Sequence, residues 1–172
     1  MHYPERIYMV GYMGSGKTTT GRQLAALLNY QFIDLDKLIE TTYKTSIPLL
    51  FKKYDEQAFR LIEQKMLQET KTYSQSIIST GGGAPCFFDN MDFINQWGIS
   101  VYLKLSPDAL FERLINAQKN RPLIKNIEEN DLHGHIKETL KEREQFYQKA
   151  HIIINPLNNG PEEILKAIKN HY

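Results

Sequence analysis

Apolar residues along this chain follow two rhythms. Short runs rich in strand-forming residues occur at 7–10 (Ile-Tyr-Met-Val), 31–33, 76–79, 99–103 and 151–154. Between them apolar positions recur every three or four residues, as on one face of a helix. Leu24, Leu27 and Leu28 predict a helix over 22–28, and a short second one is expected over 37–41. Ser46 is placed to cap a helix reaching Tyr54, with Pro48 tolerated in its first turn. Phe59, Ile62, Met66 and Leu67 give 55–69 a strong helical pattern. Further helices are expected over 88–96, from Ser106-Pro107 to about 116, over 131–149, and from Gly160-Pro161 to about 169. Strands alternating with helices argue for a parallel sheet covered on both faces, a doubly wound α/β fold. The 172 residues read as one domain, 1–172, without repeats or low-complexity stretches. One segment resists this pattern. Residues 117–130 are polar, carry Lys119, Arg121, Lys125, Glu128 and Glu129, and lack periodicity. A loop of this length inside a compact domain is usually functional, often a lid.

The first strand runs straight into GYMGSGKT at 11–18. This matches the phosphate-binding loop Gly-x-x-x-x-Gly-Lys-[Ser/Thr], and its strand and helix flanks are the context that motif requires. Gly11, Gly14 and Gly16 let the backbone curl so that successive N–H groups face one phosphate. The following helix N-terminus adds partial positive charge. Lys17 is expected to reach the β- and γ-phosphates, and the Thr18 hydroxyl to ligate Mg²⁺.

Beyond this loop, several groups suggest an acceptor site. Asp34 and Asp36 flank Leu35 at the end of the second strand, where alternation would put both carboxylates on one side. Ligands of parallel sheets bind at the carboxyl ends of strands. Asp34 would then face the metal and Asp36 an acceptor hydroxyl, as base or orienter. The competing expectation is that Asp36 only caps a helix beginning at Lys37. Arg60 and Glu63 share a helix face. They form either a surface ion pair or a pair in which Glu63 holds Arg60 to grip a carboxylate. Gly81-Gly82-Gly83 follow a strand, which suits either close backbone approach to a ligand or a tight turn. Pro122 stiffens the turn that presents Arg121. Arg143 sits in a charged run that would ordinarily be a solvated face. Trp97 and the tyrosines are expected to pack or sit half-exposed. His133 and His135 lack metal-site spacing, and Cys86 shows no sign of a reactive thiol.

These motifs together resemble shikimate kinase over nearly the whole chain. GSGKT at 14–18, DLD at 34–36, FRLIE at 59–63, STGGGA at 79–84, NRPL at 120–123 and REQFY at 143–147 stand in that family's order and approximate spacing. Only the first is shared with phosphate-loop proteins at large. The resemblance implies a three-layer P-loop kinase fold with a five-stranded parallel sheet in the order 2-3-1-4-5, and a lid at about 117–130. It implies transfer of the γ-phosphate of ATP to the 3-hydroxyl of shikimate, in the route to chorismate and aromatic amino acids. ATP would contact Gly14, Ser15, Gly16, Lys17, Thr18, Thr19, Arg113 and Arg121, with Arg113 the candidate to stack on adenine. Mg²⁺ would be held by Thr18 and, through water, by Asp34 with help from Ser79. Shikimate would contact Asp36, Arg60, Gly82 and Arg143. Lys17, Asp36 and Arg121 would carry catalysis, Arg121 arriving with the lid. The departures lie at the adenine end. Ile154-Asn155-Pro156 lacks an aspartate common there, which is expected to loosen that loop, and His151 stands where aspartate is frequent. Two rivals remain. One is another small-molecule kinase of the gluconate kinase kind, whose substrate is also a carboxylate. The other is a non-catalytic nucleotide-binding regulator, against which Lys17, Asp36 and Arg121 are all retained.

Composition narrows the partners. A net charge of +1 sets up no long-range field toward nucleic acid or an anionic membrane. Cys86 is the single cysteine, so no internal disulfide can form, as in a reducing compartment. No signal peptide and no run long enough to span a membrane is apparent. A cytoplasmic monomer acting on small molecules is therefore expected.

Overall fold

The computed structural model describes residues 3–118 and 129–171. Among these, five strands form one sheet: β1 (Arg6–Val10), β2 (Gln31–Asp34), β3 (Ser76–Ser79), β4 (Ile99–Leu103) and β5 (Ile152–Ile154). Their order is β2-β3-β1-β4-β5 and every pairing is parallel. Helices α1 (Lys17–Leu28), α2 (Leu35–Tyr43), α3 (Ile47–Lys53), α4 (Glu56–Glu69), α5 (Asn90–Trp97), α6 (Pro107–Gln118), α7 (Glu129–Tyr147) and α8 (Pro161–His171) cover it. The expected α/β class and strand order are what the chain adopts.

Strand alternation sorts the core into two layers. Ile7 and Met9 of β1 face Leu24 and Ala25 of α1 and Ile164 and Ile168 of α8. Tyr8 and Val10 face the opposite side, with Ile39, Phe59, Met66, Leu110, Ile136 and Leu140 from the remaining helices. β1 is thus buried on both faces, which is why its sequence is a continuous apolar run rather than an alternating one. Register aligns the carboxyl ends: Asp34 lies opposite Ser79, Ser79 opposite Met9, and Val10 opposite Tyr102. The chain leaves β1 toward β2 and β3 on one side and β4 and β5 on the other. That switch point opens a crevice above β1, where ligands of such sheets bind.

Local differences from the sequence expectations have identifiable causes. Helix α1 starts at Lys17, directly from the phosphate loop, because the polar run Lys17–Thr20 hides its first turn from an apolar count. Helix α2 starts at Leu35. The Asp34 carboxylate caps it, accepting the N–H groups of Asp36 (3.1 Å) and Lys37 (3.3 Å). Asp36 therefore stands in a first helical turn rather than on a strand, and the cap is Asp34 instead. Helix α5 starts at Asn90, after a single 3₁₀ turn at Ala84–Cys86 and a left-handed Phe88 (φ 52°). The ends of the expected lid, 117–118 and 129–130, belong to α6 and α7. The rest of it, with Arg121, lies outside the described residues.

β5 begins at Ile152, one residue later than expected, for a reason that can be tested. The His151 N–H goes to the buried Ser100 hydroxyl (2.9 Å), which itself donates to Asn95 Oδ1 (2.6 Å). Ser100→Ala strands one donor and one acceptor, and each such loss costs about 1–3 kcal/mol. Urea unfolding should show the midpoint lowered with an unchanged slope; an unaltered midpoint would mean that water replaces the hydroxyl without cost.

Candidate active site

The crevice above β1 is a cavity of about 820 Å³, within the range of small-molecule sites. The phosphate loop forms one side. Gly14 (φ 79°) and Gly16 (φ 100°) adopt left-handed backbone that side chains disfavour, and Gly16 is the N-cap of α1. The nearly buried Lys17 folds over the loop, its Nζ donating to the carbonyls of Gly11 (2.7 Å) and Tyr12 (2.9 Å). Arg113 of α6 lines the same cavity and donates to the carbonyls of Gly14 (3.3 Å) and Ser15 (3.1 Å). It thus braces the loop that would hold the phosphates. Thr18 and Thr19 line the cavity too, and Thr18 Oγ1 donates to Asp34 Oδ2 (3.3 Å). A hydroxyl beside a carboxylate at the foot of the phosphate loop is an all-oxygen donor set, the kind a hard divalent cation takes. Ser15 is buried with its hydroxyl unpartnered.

The other wall is the turn Gly81-Gly82-Gly83 after β3, and the acceptor candidates converge on it. A Cβ on Gly81 would lie 2.9 Å from Asp36 Oδ1 and 3.1 Å from Glu63 Oε1. One on Gly82 would lie 3.5 Å from an Arg143 Nη, and one on Gly83 only 2.7 Å from an Arg60 Nη. Gly81 and Gly83 are glycine because Asp36, Glu63 and Arg60 occupy the space that a Cβ would need, whereas Arg143 is in ordinary contact range of Gly82, whose tightest neighbour is the Met13 backbone N at 3.3 Å. Asp36 and Gly82 line the cavity, and Arg60 and Arg143 lie against the same turn.

Arg60 and Glu63 are not a surface pair. They are 9% and 2% exposed and joined at 2.8 Å, with Glu56 adding a second carboxylate at 3.3 Å. The guanidinium lies over the Phe87 ring, 4.1 Å from its centre. Glu63 and this stacking fix the orientation of the planar fork. Burial pushes the Glu63 carboxyl above its ordinary range, and the Arg60 guanidinium pulls it back. Asp36 is also raised, first by burial and then by the Asp34 charge, against the pull of Lys17. A carboxylate so placed is a stronger proton acceptor than one in water. Arg143, from α7, stands over the Tyr12 ring at 5.6 Å.

Three groups were not legible as site residues. Glu56 lies one turn before Arg60 on α4, an i,i+4 spacing that could have been read. Tyr12 offers only a ring in a variable loop position. Tyr147, grouped with packing tyrosines, is fully buried, yet its hydroxyl donates to the Gly82 carbonyl. Burial pushes the Cys86 thiol up to about 11, which keeps it protonated and unreactive. His133 bonds Asp108 (2.7 Å), and the described residues hold no cluster of three His, Cys, Asp or Glu. The adenine end differs from expectation. Asn155 Oδ1 accepts the Leu157 N–H (2.9 Å) and its carbonyl accepts Asn159 Nδ2 (2.9 Å). The amide oxygen closes this turn as a carboxylate oxygen would, so the change does not by itself loosen it.

A family model described as shikimate kinase matches residues 13–172. A shikimate kinase of Parabacteroides distasonis is 47% identical over 166 residues, covering 96% of both chains. Two solved structures are also close. The shikimate kinase of Bacteroides thetaiotaomicron has a TM-score of 0.86 at 41% identity, covering 97% of this chain and 96% of that one. The Acinetobacter baumannii enzyme in complex with shikimate has a TM-score of 0.85 at 37% identity, covering 96% and 93%. With the phosphate loop and the acceptor turn facing each other across one crevice, these matches identify the chain as a member of the shikimate kinase family, ATP-dependent kinases that phosphorylate a hydroxyl group.

Proposed function

We propose that this chain transfers the γ-phosphoryl group of ATP to the 3-hydroxyl of shikimate, as a monomeric, one-domain cytoplasmic enzyme of aromatic biosynthesis. The observation that carries the acceptor side is the convergence of Asp36, Glu63, Arg60 and Arg143 on one glycine turn across from the phosphate loop. A phosphoryl-transfer site needs positioning and electrostatics more than covalent chemistry, and this crevice offers both.

The placement of the described residues supports a division of roles. Backbone N–H groups of Gly14 to Thr19 cradle the phosphates, and the Lys17 ammonium neutralises charge that grows on the transferring group. Thr18 holds Mg²⁺, with Asp34 behind it; when bound, the ion neutralises phosphate charge. Arg60 and Arg143 grip the shikimate carboxylate, and the Gly82 backbone contacts a ring hydroxyl. Asp36 accepts or orients the proton of the attacking hydroxyl. Arg113 braces the loop on the nucleotide side, and Arg121 is proposed to arrive with its segment and add positive charge at the phosphoryl group. Among the described residues no helix is long and apolar enough to cross a membrane. A coupled assay with ATP and shikimate, gluconate or nucleoside monophosphates tests the substrate. Turnover with gluconate alone would favour the rival kinase, and nucleotide binding without turnover would favour the regulator.

Three substitutions probe the roles. Lys17→Met should fold normally and lose at least roughly two decades of kcat; near-normal turnover would remove Lys17 from the mechanism. Asp36→Asn should abolish transfer yet leave ATP–Mg²⁺ binding intact. Asp34→Asn keeps the α2 cap through its amide oxygen and should instead raise the Mg²⁺ concentration needed for half-maximal rate. Metal titrations that superimpose for these two variants would show the division of labour to be wrong. Arg60→Lys exchanges a stacked, planar fork for a point charge. It should weaken shikimate binding by about 10- to 100-fold, the value of one charged hydrogen-bonded contact. ATP affinity should barely move in calorimetry, and a fall there would assign Arg60 to the nucleotide.

A further inference from the structure

We propose that Tyr147 is a positioning residue for the acceptor: its hydroxyl holds the Gly82–Gly83 peptide in the orientation that the shikimate pocket needs. This rests on the shikimate reading above. Tyr147 ends α7, one turn after Arg143, and is fully buried. Its hydroxyl donates to the Gly82 carbonyl. A carbonyl oxygen only accepts, so the direction of this bond is fixed and the phenol's one proton goes to Gly82. The Arg143 charge and the Cys86 thiol lie beside the same hydroxyl. Burial raises the phenol well above its ordinary range, so the proton stays in place at any working pH.

The carbonyl it holds belongs to a peptide between two glycines. With no Cβ on either side, little in the chain itself restrains rotation of that unit. The other side-chain donor on the carbonyl is the Cys86 thiol at 4.0 Å, a weak partner. Rotation would re-aim the Gly82 carbonyl and the Gly83 N–H in the wall against which Arg143 and Arg60 lie. One phenolic proton thus fixes which way that peptide faces the pocket.

The ring itself is locked from below. Tyr102 lies 5.1 Å away, ring centre to ring centre, and donates to Glu144 at 2.6 Å. Glu144 is in turn held by Lys104 (2.7 Å) and Gln148 (2.9 Å). Phenylalanine would fill the Tyr147 position equally well if packing were its only task. Burying a hydroxyl there is costly unless it is bonded, and its bond goes to the Gly82 carbonyl.

The test compares Tyr147→Phe with Tyr102→Phe, which removes a hydroxyl from the same cluster without touching Gly82. Each is assayed with shikimate varied at saturating ATP–Mg²⁺, and the reverse, and its thermal midpoint is measured. Tyr147→Phe should raise the KM for shikimate about tenfold, roughly the loss of one net hydrogen bond, with the KM for ATP within about twofold of wild type. Tyr102→Phe should lower the thermal midpoint and leave the shikimate KM within about twofold. A Tyr147→Phe enzyme that is less thermostable but keeps its shikimate KM would reduce Tyr147 to a packing residue. Should that variant not fold, the wild-type protein still decides. A slowly exchanging Tyr147 hydroxyl proton close to the Gly83 amide in NMR spectra is expected, and a rapidly exchanging one overturns the proposal. Wild-type protein without shikimate kinase activity would instead overturn the substrate assignment on which this rests.

Discussion

Four charged side chains reach the same three residues because those residues have no side chains of their own. Asp36, Glu63, Arg60 and Arg143 come from α2, α4 and α7, elements far apart in sequence, and all end within 2.7–3.5 Å of where a Cβ would stand on Gly81, Gly82 or Gly83. A Cβ on Gly81 or Gly83 would push at least one of them away. The turn itself is held at its base by β3, where Thr80 N–H and Oγ1 both donate to the Met9 carbonyl at 3.1 Å. The acceptor wall is therefore as rigid as the central pair of strands beneath it. Without this constraint the arginines would be ordinary helix-surface cations.

Concentrating charge in a half-dry crevice carries a penalty, and the arrangement shows how it is offset. Burial alone would neutralise the carboxylates and disfavour the cations. Each carboxylate instead has a cation within reach: Glu63 has Arg60, and Asp36 feels Lys17 and Arg60. The balance is complete for neither, since both carboxyls stay raised, Asp36 also through the Asp34 charge. For a structural residue that would be a defect. For a group beside an attacking hydroxyl it is useful, because a carboxylate with higher proton affinity draws the hydroxyl proton more strongly. Asp34 instead accepts two amide N–H groups at the start of α2 and the Thr18 hydroxyl. Two carboxylates two residues apart thus acquire different chemistry from the helix boundary between them.

That boundary is also where the sequence was least legible. The runs at 7–10, 76–79 and 99–103 marked their strands well, since a central strand of a parallel sheet is apolar on both faces. The phosphate loop was readable because each of its residue types has a backbone or charge reason. The DLD motif was found, yet its geometry was inferred from strand alternation, whereas the chain turns helical at Leu35. A polar residue between strand and helix belongs to either period, and only the cap bonds decide. Burial of Arg60 and Glu63 could not be read from their three-residue spacing, which is the same in exposed pairs. It becomes visible only when Phe87, from beyond the glycine turn, is folded over the guanidinium.

Tyr147 shows a second limit of one-dimensional reading. Its apolar ring satisfies the helical pattern of α7, so periodicity accounts for it fully and gives no cause to look further. Its oxygen acts across 65 residues of chain, on a carbonyl that has no side chain to announce it. Interactions of this kind, side chain to a distant backbone atom, leave no signature in spacing or composition. They matter most where the backbone is glycine, because there the chain has surrendered its own restraint. The acceptor wall is such a place: permissive residues admit four charges, and a buried hydroxyl from another element restores the definition that those residues give up.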